Sequence, residues 1–228
     1  MIPLQRRLRQ LAEPGFAERA ASFFKTGPGG YAEGDRFLGV RVPAVRALAR
    51  AGGAAADVPQ LMESPWHEDR LLGLLILVRR FEQGEEKEKK EVVGTYLSLT
   101  ARINNWDLVD LSAYQILGAW LLRRPRGILD RLARSPSLWE RRIAVVSTLA
   151  FIRARDLEPT FAITRKLFSD PEDLMHKACG WMLREAGKID AAALEEFLLA
   201  HVRKIPRTML RYAIERFPER QRQRLLRM

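Results

Sequence analysis

Apolar residues recur three and four positions apart through most of the chain, and nowhere do they alternate with polar ones between hairpin-forming turns. That period belongs to helices with one buried face rather than to strands. It predicts helices over roughly 3–12, 15–25, 43–51, 66–82, 86–101, 106–123, 125–133, 138–153, 158–168, 172–186, 191–203 and 207–215, with proline and glycine mostly in the gaps. The expected fold class is all-α.

Four segments can be written over one another: "WHEDRLLGLLILVRR", "WDLVDLSAYQILGAWLLRR", "LWERRIAVVSTLAFIRAR" and "EDLMHKACGWMLREAG". Each opens polar and sets a charged residue, Arg70, Asp110, Arg142 or Lys177, just before a long apolar helix; the intervals are 40, 32 and 35 residues. A period of that length with two helices per unit predicts a HEAT-like helical-repeat solenoid, the alternative being a helical bundle with accidental periodicity. In a solenoid the second helix of each unit lines a concave face, so equivalent charges form a ridge that can track a long ligand. Nothing in composition separates a second domain, so residues 1–228 are read as one helical-repeat domain.

The long irregular stretch is "KTGPGGYAEGDRFLGVRVP". Its glycines suggest a phosphate-binding loop, but no strand precedes it and the Lys-Ser/Thr ending is missing. It is read as a connection, with Pro43 opening the next helix in its first turn.

At 228 residues and 47% hydrophobic, the chain can bury a sizeable core. It contains no apolar run of membrane-spanning length, and "MIPLQRRLRQLAEPG" lacks the apolar segment of a secretory signal, so a cytoplasmic protein with no membrane partner is expected. Cys179 has no disulfide partner, and the three histidines stand far apart, so no metal is expected. Lysine and arginine total 39 against 28 acidic residues, for a formal charge of +11, which favours a polyanionic partner over solvated helix faces alone.

"NNWDLVDLSAY" crowds two carboxylates and an indole into little more than one helical turn. With Asn105 as N-cap, Trp106 becomes the first helical residue and Asp107 falls in the first turn, where the helix dipole favours a carboxylate. Asp110 stands roughly 40° round from Trp106 at the edge of an apolar arc that continues through Val109, Ala113, Ile116, Leu117 and Trp120. A carboxylate beside apolar groups is costly to desolvate without a partner. It either braces a neighbouring helix or awaits a positively charged ligand.

"WDLVD", "LWERRIAV" and "KACGWMLREAGK", with "GDRFLGVRVPAVRALA" and "RTMLRYAIERF" towards the two ends, resemble the AlkD family of bacterial DNA alkylation repair glycosylases over nearly the whole chain. That resemblance implies a concave basic face that binds double-stranded DNA containing alkylated bases. It matches Trp106 and Trp181 to the active-site tryptophans, Asp110 to the catalytic aspartate and Arg142 to an arginine near the DNA backbone. Phe23 is the best match to an early active-site tyrosine, with the aromatic face kept and the hydroxyl lost.

The implied activity is hydrolysis of the N-glycosidic bond of cationic N3-methyladenine and N7-methylguanine, by a monomer without cofactor, base flipping or strand cleavage. Arg41, Lys177, Arg184, Lys188, Arg207 and Arg211 could extend the phosphate track. Rival readings are a non-enzymatic binder of distorted or branched DNA and a protein-interaction scaffold. Trp66, Trp120, Trp139 and Cys179 are read as packing residues, and Tyr31 and Tyr212 are left unassigned.

Overall fold

Proline in the first turn opens five of the helices, and side chains of Asn105, Ser137 and Asp190 cap three more, in the computed structural model, which describes residues 1–228. The fold is an all-α helical repeat, with no strand beyond one isolated bridge between Arg36 and Trp66. The chain divides into two compact units, Met1–Ile116 and Leu117–Met228. No helix is long and apolar enough to cross a membrane.

The first unit holds α1 (Pro3–Gln10), α2 (Pro14–Phe23), α3 (Val42–Gly52), α4 (Val58–Met62), α5 (His67–Gln83), α6 (Glu86–Ser98) and α7 (Trp106–Asp110). The second holds α8 (Gly127–Leu132), α9 (Leu138–Ser147), α10 (Leu149–Arg153), α11 (Glu158–Lys166), α12 (Asp173–Ile189), α13 (Ala191–His201), α14 (Arg207–Ala213) and α15 (Glu219–Arg227). The spacing missed α4, too short to show a period, and α15, whose "ERQRQRLLR" buries Leu225 behind a charged surface.

The helix expected over 106–123 does not run through. α7 ends at Asp110, and a π-helical turn over Tyr114–Gly118 and a 3₁₀ turn over Leu121–Arg123 follow. Where the α pattern stops, the Ser112 hydroxyl donates to the Leu108 carbonyl at 2.6 Å, competing for a backbone acceptor. Val109, Ala113, Ile116 and Leu117 are nevertheless all buried, so the apolar pattern holds while the helical geometry changes.

α5 is the core of the first unit and packs on α3, α4 and α6, with Leu71, Leu72 and Leu74 almost fully buried. Its first turn is polar and equally buried, because each side chain ties down a different segment. Glu68 accepts from the backbone N–H groups of Leu38, Gly39 and Val40 at 2.8–3.1 Å. Asp69 accepts from both terminal nitrogens of Arg9 at 2.6 and 2.7 Å and from the Ser64 hydroxyl at 2.6 Å.

The long connection is thereby fastened at its end. Gly39 lies there at φ +81°, and a Cβ on it would stand 2.2 Å from the Glu13 carbonyl oxygen. Gly39→Ala should therefore cost about 2 kcal/mol or more of stability, read as a lower midpoint in thermal or urea unfolding. An unchanged midpoint would mean that α2 is not held against this turn.

In the second unit α12 packs against α9, α11, α13 and α14. Gly180 makes the α14 contact possible, since a Cβ there would meet the Tyr212 Cβ at 2.5 Å and the Met209 carbonyl at 2.6 Å. Cys179 beside it is fully buried, which raises its thiol pKa and keeps it a small apolar group.

Candidate active site

Asn105 caps α7 as expected, its Oδ1 accepting from the Trp106 N–H at 2.8 Å. The α geometry of residues 106–110 sets Trp106 and Asp110 one turn apart on neighbouring positions of one face. Both are partly exposed and flank the fully buried Leu108 and Val109. The negative charge of Asp110 also helps to keep the phenol of Tyr96 protonated, after the larger effect of that phenol's burial.

The Trp106 indole is held on three sides by the first unit. Phe24 stacks on it at 5.1 Å between centroids with the rings 18° apart, and Phe23 meets it edge-on at 5.9 Å. The Trp106 Nε1–H donates to the Tyr31 hydroxyl at 3.3 Å. Phe23 is 66% exposed, so of the two phenylalanines it is Phe23 that offers its ring to solvent beside Trp106. Phe24 serves as the packed support.

Below Phe24 the aromatic column continues through Phe37 at 5.0 Å to the His67 ring, 4.5 Å from Phe37. His67 is 2% exposed and bridges two carboxylates, Asp35 through Nδ1 at 3.1 Å and Asp107 through Nε2 at 2.8 Å. Burial works against its charge, but the charge of Asp107 and the hydrogen bonds that the ring donates to both carboxylates outweigh it and raise its pKa to about 9. Asp35 is held below the usual carboxylate range despite its burial, through its bond to His67 and the charge of Arg70, which also bonds to it. Asp107 is thus structural, as its position suggested, but as one end of a buried ion network that joins α5, α7 and the connection.

The expected ridge of charges is not uniform. Arg70 is 3% exposed and Arg142 6% exposed. Arg70 donates to the Ser64 carbonyl at 2.9 Å, and Arg142 to the Leu174 carbonyl at 3.0 Å. Asp110 and Lys177 remain partly exposed. Equivalent positions in the repeat therefore differ in exposure.

Trp106, Asp110, Phe23 and Arg41 belong to the first unit, and Arg142, Lys177, Trp181, Arg184, Lys188, Arg207 and Arg211 to the second. Lys177, Trp181, Arg184 and Lys188 fall within an arc of about 60° on α12, and α14 beside it carries Arg207 and Arg211. Several of these cations meet carboxylates: Lys177 with Asp173 at 2.7 Å, Lys188 with Glu185 at 2.7 Å, and Arg184 with Glu215. Arg41 lies over the Phe16 ring at 4.5 Å, and Arg207 donates to the Leu226 carbonyl at 2.8 Å. Trp66, Trp120 and Trp139 are each partly buried, and Trp120 carries the Arg124 guanidinium 3.5 Å above its ring.

Sequence reasoning did not single out His67, Asp35 or Tyr31 for this region. Their partners lie 32 to 75 residues away along the chain, and no local pattern announces them.

A solved structure described as a predicted DNA alkylation repair enzyme from Enterococcus faecalis superposes with a TM-score of 0.74 at 16% sequence identity, covering 91% of this chain and 97% of that one. At that identity the likeness is one of fold. A comparison with curated proteins found no match. The family model described as DNA alkylation repair enzyme matches residues 4–217, so the chain belongs to the DNA alkylation repair enzyme family.

Proposed function

We propose that the protein is a monofunctional DNA glycosylase that hydrolyses the N-glycosidic bond of cationic alkylated purines, N3-methyladenine and N7-methylguanine, in double-stranded DNA. The observation that carries this reading is the pairing on α7: a carboxylate one turn from an indole whose ring is braced by Phe24 and edged by the exposed Phe23. Family membership supports it.

An alkylated purine with a fixed positive charge is already a good leaving group. As the C1′–N bond breaks, its electron pair goes to the base, which departs neutral, and the positive charge moves to the deoxyribose as an oxocarbenium ion. In this reading Asp110 is the fixed anion that stabilises that charge more in the transition state than in the ground state. Trp106 adds an electron-rich face to a cationic substrate, and the family resemblance gives Trp181 of the second unit the same role. Water then adds at C1′ and loses a proton, leaving an abasic site. No step uses a cofactor or a lysine Schiff base, and none requires the base to be flipped into a pocket.

Phosphate contacts fall to Lys177, Arg184, Lys188, Arg207 and Arg211 of the second unit and Arg41 of the first. Arg142 braces the start of α12, its Nη1 donating to the Leu174 carbonyl; the resemblance gives its guanidinium a phosphate contact as well. Since several of the cations begin paired with carboxylates, DNA must displace those partners. With about four phosphates neutralised, log K should fall against log salt with a slope of roughly −4. A flat salt dependence of duplex binding would remove the basic track from the account.

The test of the function is release of free bases from methylated duplex DNA by the purified monomer. Binding without release would favour a non-enzymatic binder of distorted DNA, for which the missing hydroxyl at Phe23 is the supporting feature. Neither binding nor release would leave an interaction scaffold.

A further inference from the structure

The glycine-rich connection between α2 and α3 places Tyr31 against the site. Its hydroxyl oxygen accepts from the Trp106 indole N–H at 3.3 Å and lies 3.5 Å from the Phe23 carbonyl oxygen, within reach to donate to it. Trp106 is thus restrained in two independent ways, by Phe24 on its face and by Tyr31 at its only polar atom. Stacking alone leaves an indole free to slide and turn in the ring plane. A hydrogen bond at the ring edge removes that freedom.

The segment carrying Tyr31 is itself pinned on both sides. Gly34 N–H donates to the Thr26 carbonyl at 3.3 Å, and Gly29 N–H to the Glu33 carboxylate at 3.0 Å. Beyond it Asp35 is locked to His67 and Arg70. Gly29 and Gly34, at φ +73° and +79°, supply the left-handed turns that bring Tyr31 back over α2. Tyr31 is partly exposed, and the ammonium of Lys25 lies 5.9 Å from its ring centre.

We propose that Tyr31 is a positioning residue for the glycosylase site, fixing the in-plane orientation of the Trp106 indole so that its face meets the lesion-bearing nucleotide. This rests on the function proposed above. It also gives the connection a purpose that its composition did not show: it carries a phenol to the site from outside the repeated helices.

The test compares wild type, Tyr31→Phe, Trp106→Phe and the double variant. Tyr31→Phe removes one oxygen and keeps the ring, so folding should be preserved. The expected result is a fall of roughly 3- to 10-fold in single-turnover base release, with duplex affinity within about twofold and the unfolding midpoint unchanged. In the Trp106→Phe background, which has no indole N–H, Tyr31→Phe should cause no further loss. A full-sized additional loss there, or an unchanged rate in the single variant, overturns the proposal.

A nitrogen-15 spectrum of the tryptophan indole groups gives a readout independent of catalysis. The signal that Trp106→Phe deletes should move in Tyr31→Phe, and its response to added alkylated duplex should shrink. If wild type releases no base, the glycosylase reading fails by itself, and this signal still decides whether Tyr31 orients Trp106 towards DNA. An unmoved signal with the same response to DNA overturns the positioning role in either case.

Discussion

Asp110→Asn should lower single-turnover release of N7-methylguanine by a factor on the order of 10²–10³ while leaving duplex affinity within a few-fold. The substitution keeps the size and shape of the side chain and removes only its charge. Asp110 ends α7 and is partly exposed, so loss of the charge does not open the core formed by Leu108 and Val109. The expected loss is in the chemical step because the positive charge sits on the base in the bound substrate and moves onto the sugar only as the C1′–N bond breaks. An unchanged rate would take Asp110 out of the chemistry and restore the plainer reading of it as a helix-end carboxylate.

A second large effect is expected away from the chemistry. His67→Gln leaves Asp35 and Asp107, whose side chains are 3% and 8% exposed, without the cation between them. Removing one partner of a buried ion pair typically costs about 3–5 kcal/mol, and a loss of that size should appear in urea unfolding.

The pH dependence follows from the same contact. The His67 pKa is raised in the folded protein from 6.5 to about 9, so the folded state holds the proton more tightly than the unfolded chain. The stability it contributes is fully present below about pH 6.5 and is lost as pH rises through about 9, a change on the order of 3 kcal/mol. Wild type should weaken across that window, and His67→Gln should show a flatter profile. Parallel profiles would mean that the imidazole is not held charged between the two carboxylates.

Most of the helical pattern was legible in the sequence, because burial of one face writes itself into the spacing of apolar residues. The failures have local causes. The continuous helix expected over 106–123 obeys its apolar spacing yet breaks at Ser112, since burial constrains which residues point inward and not how many fall in a turn. The angular relation between Trp106 and Asp110 survives because it needs only the single turn of α7.

The environment of the site was less legible. Asp107 looked like a carboxylate answering a helix dipole, whereas its main partner is His67, 40 residues earlier. Arg70 and Arg142 matched Asp110 and Lys177 in register but are turned inward onto backbone carbonyls. Register in a repeat tells which positions are equivalent, while exposure depends on what the neighbouring segment offers. Phe23 and Phe24 were adjacent candidates, and ring geometry divides them into an exposed face and a packed support.

The most direct measurement places excess protein on a duplex carrying a single N7-methylguanine and follows the free base and the strand together. One equivalent of free N7-methylguanine is expected, with an intact strand that breaks only on later alkaline heating and with the rate lost in Asp110→Asn. Tight binding of that duplex by wild type with no base released would contradict it.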